Sequence, residues 1–199
     1  HGLSYEYIIN VLPQHSEAEA GGRVVIAHLG QGASMCAVKN RQSIATTMTF
    51  TPLDGLPMGT RCGSIDPAVV LYLLREKNMT ADAISDLLHY RSGLAGLSGI
   101  SGDMKTLLGS GHVDADKAVD IFVYHICREL GSLAAALGGL DTLIFTAGIG
   151  ERAAVIRDKV CKGAAWLGID IDPEANRNNA ARISSARSPV SVRVIPTNE

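Results

Sequence analysis

From Val24 onward the chain alternates short apolar runs with polar, glycine-containing turns. Val24-Val25-Ile26-Ala27 is continuously apolar and reads as a buried strand, and His28-Leu29-Gly30-Gln31-Gly32 turns the chain at its end. Ala33 to Val38 reads as a second strand, Lys39 to Gln42 as a hairpin tip, and Ser43 to Phe50 as a third, Thr-rich strand. The pattern predicts a three-stranded meander. Ahead of it, Tyr5 to Leu12 is predicted as a helix ended by Pro13, and Ser16 to Gly22 as a polar connector.

Beyond the meander the spacing becomes helical. Asp66-Pro67 pairs an N-cap with a first-position proline ahead of a helix over Ala68 to Glu76, and a second helix is predicted from Thr80 through Leu88. Arg91 to Leu97 reads as a glycine-broken loop. Asp114 to Leu137 is the longest helical pattern, with Val119, Phe122, Val123, Ile126, Leu130, Leu133 and Leu137 at spacings of three and four. His125 lies among these residues and reads as an interior or edge side chain. Gly138-Gly139 ends the helix, and Thr142 to Thr146 follows as a buried strand. A helix from Arg152 to Leu167 should turn Val155, Val160, Ala164 and Trp166 inward before Gly168 stops it, and Val190 to Ile195 alternates as a last strand.

Composition sets bounds on this picture. A chain of 199 residues, 46% hydrophobic and 19% charged, suffices for one well-buried α/β domain. A net charge of −2 supplies no basic surface for nucleic acid, and no apolar run is long enough for a membrane span. Cys36, Cys62, Cys127 and Cys161 are scattered without metal-ligand spacing, which fits thiols of a reducing compartment and no disulfide or zinc. With no secretory leader in view, the cytoplasm is the expected location.

Three glycine-rich turns carry the candidate chemistry. Gly30 and Gly32 permit positive φ and close approach of a ligand, so backbone amides there can form an anion nest suited to phosphate; the turn alone fits a wide hairpin equally. The stretch from Thr51 to Pro67 is too long and too loaded with Gly, Pro, Asp and Arg for a simple connector, and Arg61 within it offers a forked donor for phosphate or carboxylate, or a solvated loop arginine. Ser98 to Lys105 is another turn, in which Ser101 or Asp103 suits an N-cap as well as a ligand contact. Finally, Gly148-Ile149-Gly150-Glu151-Arg152-Ala153 follows a strand and opens a helix, with Asp170 about twenty residues on. That spacing also matches the dinucleotide fingerprint of a Rossmann unit, although such a fingerprint usually sits on the first strand of its domain. Asp170 and Asp172 read as turn carboxylates, not metal ligands.

HLGQGAS, TPLDGLPMGTRCGSIDP, SGISGDMK, FTAGIGER and VIPTNE occur in the order and phrasing of the acetate kinases, and the chain resembles that family from His1 to Glu199. The resemblance implies an α/β, RNase H-like (actin-like ATPase) domain with a helical subdomain over about residues 80–138. It implies a lead-in over 1–22 from a preceding domain, and a C-terminal nucleotide-binding domain over 23–199. The chain therefore looks cut from something longer. The implied reaction is reversible transfer of the γ-phosphoryl of ATP to a short-chain carboxylate, acetate or propionate, giving acyl phosphate and ADP, with Mg²⁺ as cofactor and a homodimer in the full-length enzyme.

Residue by residue, the resemblance makes Arg61, His1 and His28 the catalytic candidates, with Arg61 as transition-state stabiliser. His28, Leu29, Gly30, Gln31 and Gly32 would cradle phosphate. Asp103, Met104 and Lys105, together with Gly148, Ile149, Gly150, Glu151 and Arg152, would hold adenosine, and Glu199 would help place Mg²⁺. The chain departs from the family phrasing at Leu3, Tyr5 and Glu6 within a phrase like FHGTSHRYV. It departs again at Gln31 for Asn, Ser64 for Asp, Lys105 for Arg and Arg152 for Asn. A dinucleotide-dependent oxidoreductase and a non-catalytic module in the manner of actin or Hsp70 are the alternative readings.

Overall fold

Strands that are apolar at nearly every position, not at alternate ones, belong in the interior of a sheet with both faces covered. A computed structural model of the chain, describing residues 1–198, shows this arrangement. β1 (Arg23–Leu29) is buried from Val24 to Leu29, β2 (Ala33–Lys39) from Ala33 to Val38, and β4 (Thr142–Thr146) along all of its length, while β3 (Gln42–Thr46) is largely exposed. With β5 (Ser191–Val194) they form one sheet in the order β3-β2-β1-β4-β5. β1, β2 and β3 are the antiparallel meander, and β1, β4 and β5 run parallel. β3 ends at Thr46, four residues short of the expected Phe50, whose side chain is 99% exposed; an extended strand there would have no apolar layer to cover it.

The chain divides into two compact units, His1–Thr47 with Val123–Glu199, and Met48–Phe122. In the first, α1 (Gly2–His15) continues through Pro13, which lies in the last turn and removes one donor without ending the helix. The expected polar connector contains a short helix, α2 (Glu17–Ala20), capped by the Ser16 side chain and fixed to the sheet by a Glu19 to Arg193 ion pair at 2.5 Å.

In the second unit, α3 (Pro67–Arg75) starts at the Asp66 N-cap, α4 (Ala81–Tyr90) at the Thr80 cap and α6 (Met104–Ser110) at the Asp103 cap. The stretch read as a glycine-broken loop holds α5 (Gly93–Ser98), because Gly93 at φ +57° and Gly99 at φ +65° frame a helix instead of interrupting it. Leu56, Met58, Ile84, Leu94, Met104, Leu107 and Phe122 are the larger buried apolar side chains of this unit.

The long helix α7 (Val113–Leu137) buries Ile126, Leu130, Leu133 and Leu137 in the first unit. After β4 come α8 (Ala147–Arg152) and α9 (Ala154–Gly163), then a 3₁₀ turn (Ala165–Leu167) and α10 (Pro173–Arg177). The single helix expected over Arg152 to Leu167 is thus three pieces; Val160 and Ala164 are buried as expected, but Val155 (53%) lies about 140° around α9 from Val160 and faces outward, as does Trp166 (70%) beyond the break at Ala164. Trp166 still lays its ring edge near Gly131 of α7, where a Cβ would be 3.4 Å away.

Asp170 accepts from Ser185 Oγ (2.5 Å) and Arg187 Nε (2.8 Å), and Asp172 caps α10, so both serve turns. All four cysteines are free, and burial pushes the Cys161 thiol up to about 12. No helix among the described residues is long and apolar enough to cross a membrane.

Candidate active site

Parallel pairing of β1 with β4, and of β4 with β5, aligns their carboxyl ends, with His28 opposite Thr146 and Phe145 opposite Val194. In parallel sheets the loops leaving that edge take ligands. Three segments that leave that edge meet here: the Gly30 to Gly32 turn, Gly148 to Arg152 in the short helix α8, and Pro196 to Asn198. Gly30 N donates to Gly32 O at 2.9 Å, and a Cβ on Gly30 would lie 3.5 Å from Ala147 Cβ, so the first two turns pack side by side. Thr197 N donates to Glu151 Oε1 at 3.1 Å and ties the third loop to the second.

Gly30 and Gly32 do not use the positive φ expected of them, and a Cβ on Gly30 would meet its neighbours only at ordinary contact distance, 3.4 Å from Gly32 O. The left-handed backbone is at Ala147 (φ +64°), directly after β4, a conformation costly for a residue with a Cβ and a local strain in the turn. Gly148 and Gln31 are exposed, Ile149 is half-buried, and Gly150 is buried against Phe145. Arg152 is exposed.

His28 closes β1 at this edge. It is 6% exposed, its Nδ1 is 2.8 Å from Ser4 Oγ, and burial lowers its pKa to about 4, so it is neutral at pH 7. The His1 ring stacks on it with centroids 4.3 Å apart, and His1 Nδ1 lies 2.6 Å from Ser34 Oγ. Thr197 Oγ1 shares a hydrogen bond with Ser4 Oγ at 2.9 Å, which joins the histidine pair to the third loop.

One residue at this edge is not foreseen from the sequence. Arg157 of α9 is fully buried, and its guanidinium donates four hydrogen bonds, to Gly150 O (2.8 Å), Asn176 Oδ1 (2.7 Å), Asn176 O (2.7 Å) and Asn179 Oδ1 (2.6 Å). All are neutral oxygens. It pins the carbonyl at the floor of the Gly148 to Arg152 turn to α10. The available signal is an arginine between Ile156 and Val160 on a buried helix face, which needs a full set of acceptors.

In the second unit the loop from Thr51 to Pro67 is fixed by its backbone. Leu94 N donates to Met58 O (2.8 Å), Ala95 N to Gly59 O (2.9 Å), Ser92 N to Thr60 O (2.9 Å) and Cys62 N to Leu88 O (2.9 Å). Asp54 accepts from Ser64 Oγ (2.5 Å), Thr49 Oγ1 (2.5 Å) and Gly55 N (2.8 Å), bonds that hold its carboxyl below the usual range. Ser64 therefore closes the loop around Asp54.

Arg61 is half-buried, and the polar contact described for its guanidinium is a long one, 3.8 Å to Met58 Sδ. Among the described residues no carboxylate pairs with it. Asp103 accepts from Thr106 N (2.8 Å) and Thr106 Oγ1 (2.7 Å), so it caps α6; Met104 is buried and Lys105 exposed. Glu199 lies outside the described residues. Among those residues no cluster of three or more His, Cys, Asp or Glu side chains could hold a metal ion.

A meander continued by parallel strands in the order β3-β2-β1-β4-β5, with glycine turns at the parallel strand ends, defines the class: an RNase H-like domain of the actin-like ATPase fold. The chain belongs to the acetokinase family, whose model matches residues 1–199. It is 62% identical over 202 residues to acetate kinase of Rhodopseudomonas palustris (strain TIE-1), an alignment covering 100% of this chain and 51% of that protein. Among solved structures it is similar to Porphyromonas gingivalis acetate kinase (35% identity, TM-score 0.94, 100% of this chain and 51% of that one). It is also similar to a propionate kinase from Francisella tularensis (37% identity, TM-score 0.93, 100% and 52%). The chain spans about half the length of the curated relatives it matches.

Proposed function

We propose that this chain is the nucleotide-binding, C-terminal part of an enzyme that reversibly transfers the γ-phosphoryl group of ATP to a short-chain carboxylate, acetate or propionate, giving acyl phosphate and ADP. The observation that carries the reading is the meeting of the Gly30 to Gly32 turn, helix α8 and the Pro196 to Asn198 segment at the carboxyl ends of β1, β4 and β5, in a chain of the acetokinase family. Phosphoryl transfer asks a protein for positioning and for charge that meets the equatorial oxygens, with little covalent chemistry. In this reading the Gly30-Gln31-Gly32 turn cradles phosphate beside His28 and Leu29, and Gly148 to Arg152, with Asp103, Met104 and Lys105, holds adenosine.

Arg61 meets the charge that develops during transfer, and its loop supports that role by fixing the backbone while leaving the guanidinium without an internal acid. His1, stacked on the buried neutral His28, donates a hydrogen bond to the phosphoryl oxygens. Glu199 would help hold Mg²⁺ together with the phosphates, and the ion would supply positive charge to offset that of the phosphate groups.

The full-length enzyme is a cytoplasmic homodimer in this account, and the acyl pocket lies largely in the part of the protein not contained in this chain. The test is hydroxamate formation: full-length protein with ATP, hydroxylamine and acetate or propionate should give the acyl hydroxamate. Folded full-length protein that forms none from either acid would overturn the proposal.

A further inference from the structure

Tyr5 sits where the chain departs from its family phrasing, and it is joined to the proposed catalytic histidine through one hydroxyl. The phenol is buried, and its O–H meets Ser34 Oγ. Ser34 is fully buried on β2, and the same oxygen lies 2.6 Å from His1 Nδ1. We propose that Tyr5 is a positioning residue that acts through Ser34 to hold His1 as the tautomer carrying its proton on Nε2.

A count of protons sets the direction of the relay. Ser34 has one hydroxyl proton and stands between two groups. If Tyr5 donates to Ser34 and Ser34 donates to His1 Nδ1, every donor has an acceptor, Nδ1 is the unprotonated nitrogen and Nε2 carries N–H. In the opposite sense Nδ1–H donates to Ser34, Ser34 donates to the phenol oxygen, and the Tyr5 proton is left in the interior without an acceptor, which the protein interior disfavours. Burial raises the Tyr5 pKa, so the phenol is a protonated donor throughout the neutral range. The ring stack on His28 limits rotation of the imidazole, so fixing the tautomer also fixes where Nε2–H points. A neutral histidine with Nε2–H donates a hydrogen bond to a phosphoryl oxygen; the other tautomer would turn a lone pair toward it.

The consequence for turnover rests on the proposed role of His1, whereas the tautomer itself rests on geometry alone, and the experiment separates the two. Nitrogen-15 spectra of histidine-labelled full-length protein should show His1 Nδ1 as pyridine-like and Nε2 as pyrrole-like. In Tyr5→Phe, which keeps the ring and its packing, the His1 signals should shift toward a mixture. With ATP and acetate the variant should lose about tenfold in kcat, with KM for ATP unchanged within about twofold. Ser34→Ala should give the same spectral change from the other side of the relay. Protonated Nδ1 in the parent protein, or His1 signals that do not move in a folded Tyr5→Phe variant, would overturn the relay. A parent enzyme without activity would count against the proposed function, and the spectra would still decide the role of Tyr5.

Discussion

Arg157→Met replaces a buried guanidinium with an apolar side chain of similar length and removes every donor it offers. Of its four acceptors, Asn179 is exposed and can turn to water, and Asn176 O also receives Asn179 N at 3.1 Å. Gly150 O and Asn176 Oδ1 are left stranded in the interior. Each stranded acceptor costs about 1–3 kcal/mol, so the pair costs roughly 2–6 kcal/mol. Part of this is offset because the native arginine is itself desolvated, as the lowering of its pKa by burial shows. A net destabilisation of about 2–4 kcal/mol follows. Urea denaturation of the full-length protein should report this as a lower midpoint with an unchanged slope. Amide hydrogen exchange should rise first over residues 148–152, because Gly150 loses its anchor to α10. Arg157→Lys should recover little, since one ammonium cannot span acceptors on the turn and on α10 together. If Arg157→Met unfolds within about 0.5 kcal/mol of the parent and residues 148–152 exchange at the parent rate, the latch is not structural and the reasoning fails.

Other outcomes follow from the same geometry. Arg61→Ala in the full-length enzyme should lower kcat by roughly two powers of ten or more, about 3 kcal/mol, with nucleotide affinity nearly unchanged and Arg61→Lys rescuing poorly; a normal kcat with a raised KM for ATP would make Arg61 a ground-state contact. Gly93→Ala would place a Cβ 2.1 Å from Met58 O at φ +57°, and should cost upward of about 3 kcal/mol in a thermal melt; a melting temperature equal to that of the parent would refute the close packing of the arginine loop. His28 is held neutral, with a folded pKa of about 4 against an ordinary 6.5, so its contribution is fully present above about pH 6.5 and is lost as pH falls toward 4. Stability should therefore rise with pH across that window by roughly 1–3 kcal/mol, and His28→Asn should flatten the rise; an unchanged slope would assign it to other groups. This chain alone should transfer phosphoryl groups negligibly, because half of a cleft does not position both reactants; turnover comparable to that of the full-length enzyme would refute this.

The meander, the buried strand Thr142 to Thr146, the long helix and the caps at Asp66, Thr80 and Asp103 are legible in the sequence because each rests on local rules of burial and capping. What is illegible depends on neighbours distant in sequence. Pro13 stays inside α1 because a proline in a last turn costs one donor only. Arg157 bonds back to Gly150 in α8 and across to α10, and no periodicity reveals a carbonyl that must be satisfied from elsewhere. Val155 cannot share a face with Val160, five residues on in the same helix, and Trp166 lies beyond the break at Ala164. Among the candidate residues the glycine turns and Arg61 stand out by residue type. The contacts of Tyr5, Ser34 and Ser4 with one another and with the two histidines are visible only once α1 lies against the strands.

The central claim is that this chain belongs to a phosphotransferase whose acceptor is a carboxylate, and the reverse reaction tests it most directly. Full-length protein supplied with ADP, Mg²⁺ and acetyl phosphate or propionyl phosphate should form ATP, detected by luminescence, at a rate far above the enzyme-free mixture. The same assay with Arg61→Ala should fall by roughly two powers of ten or more. Folded full-length protein that makes no ATP from either acyl phosphate would contradict the account.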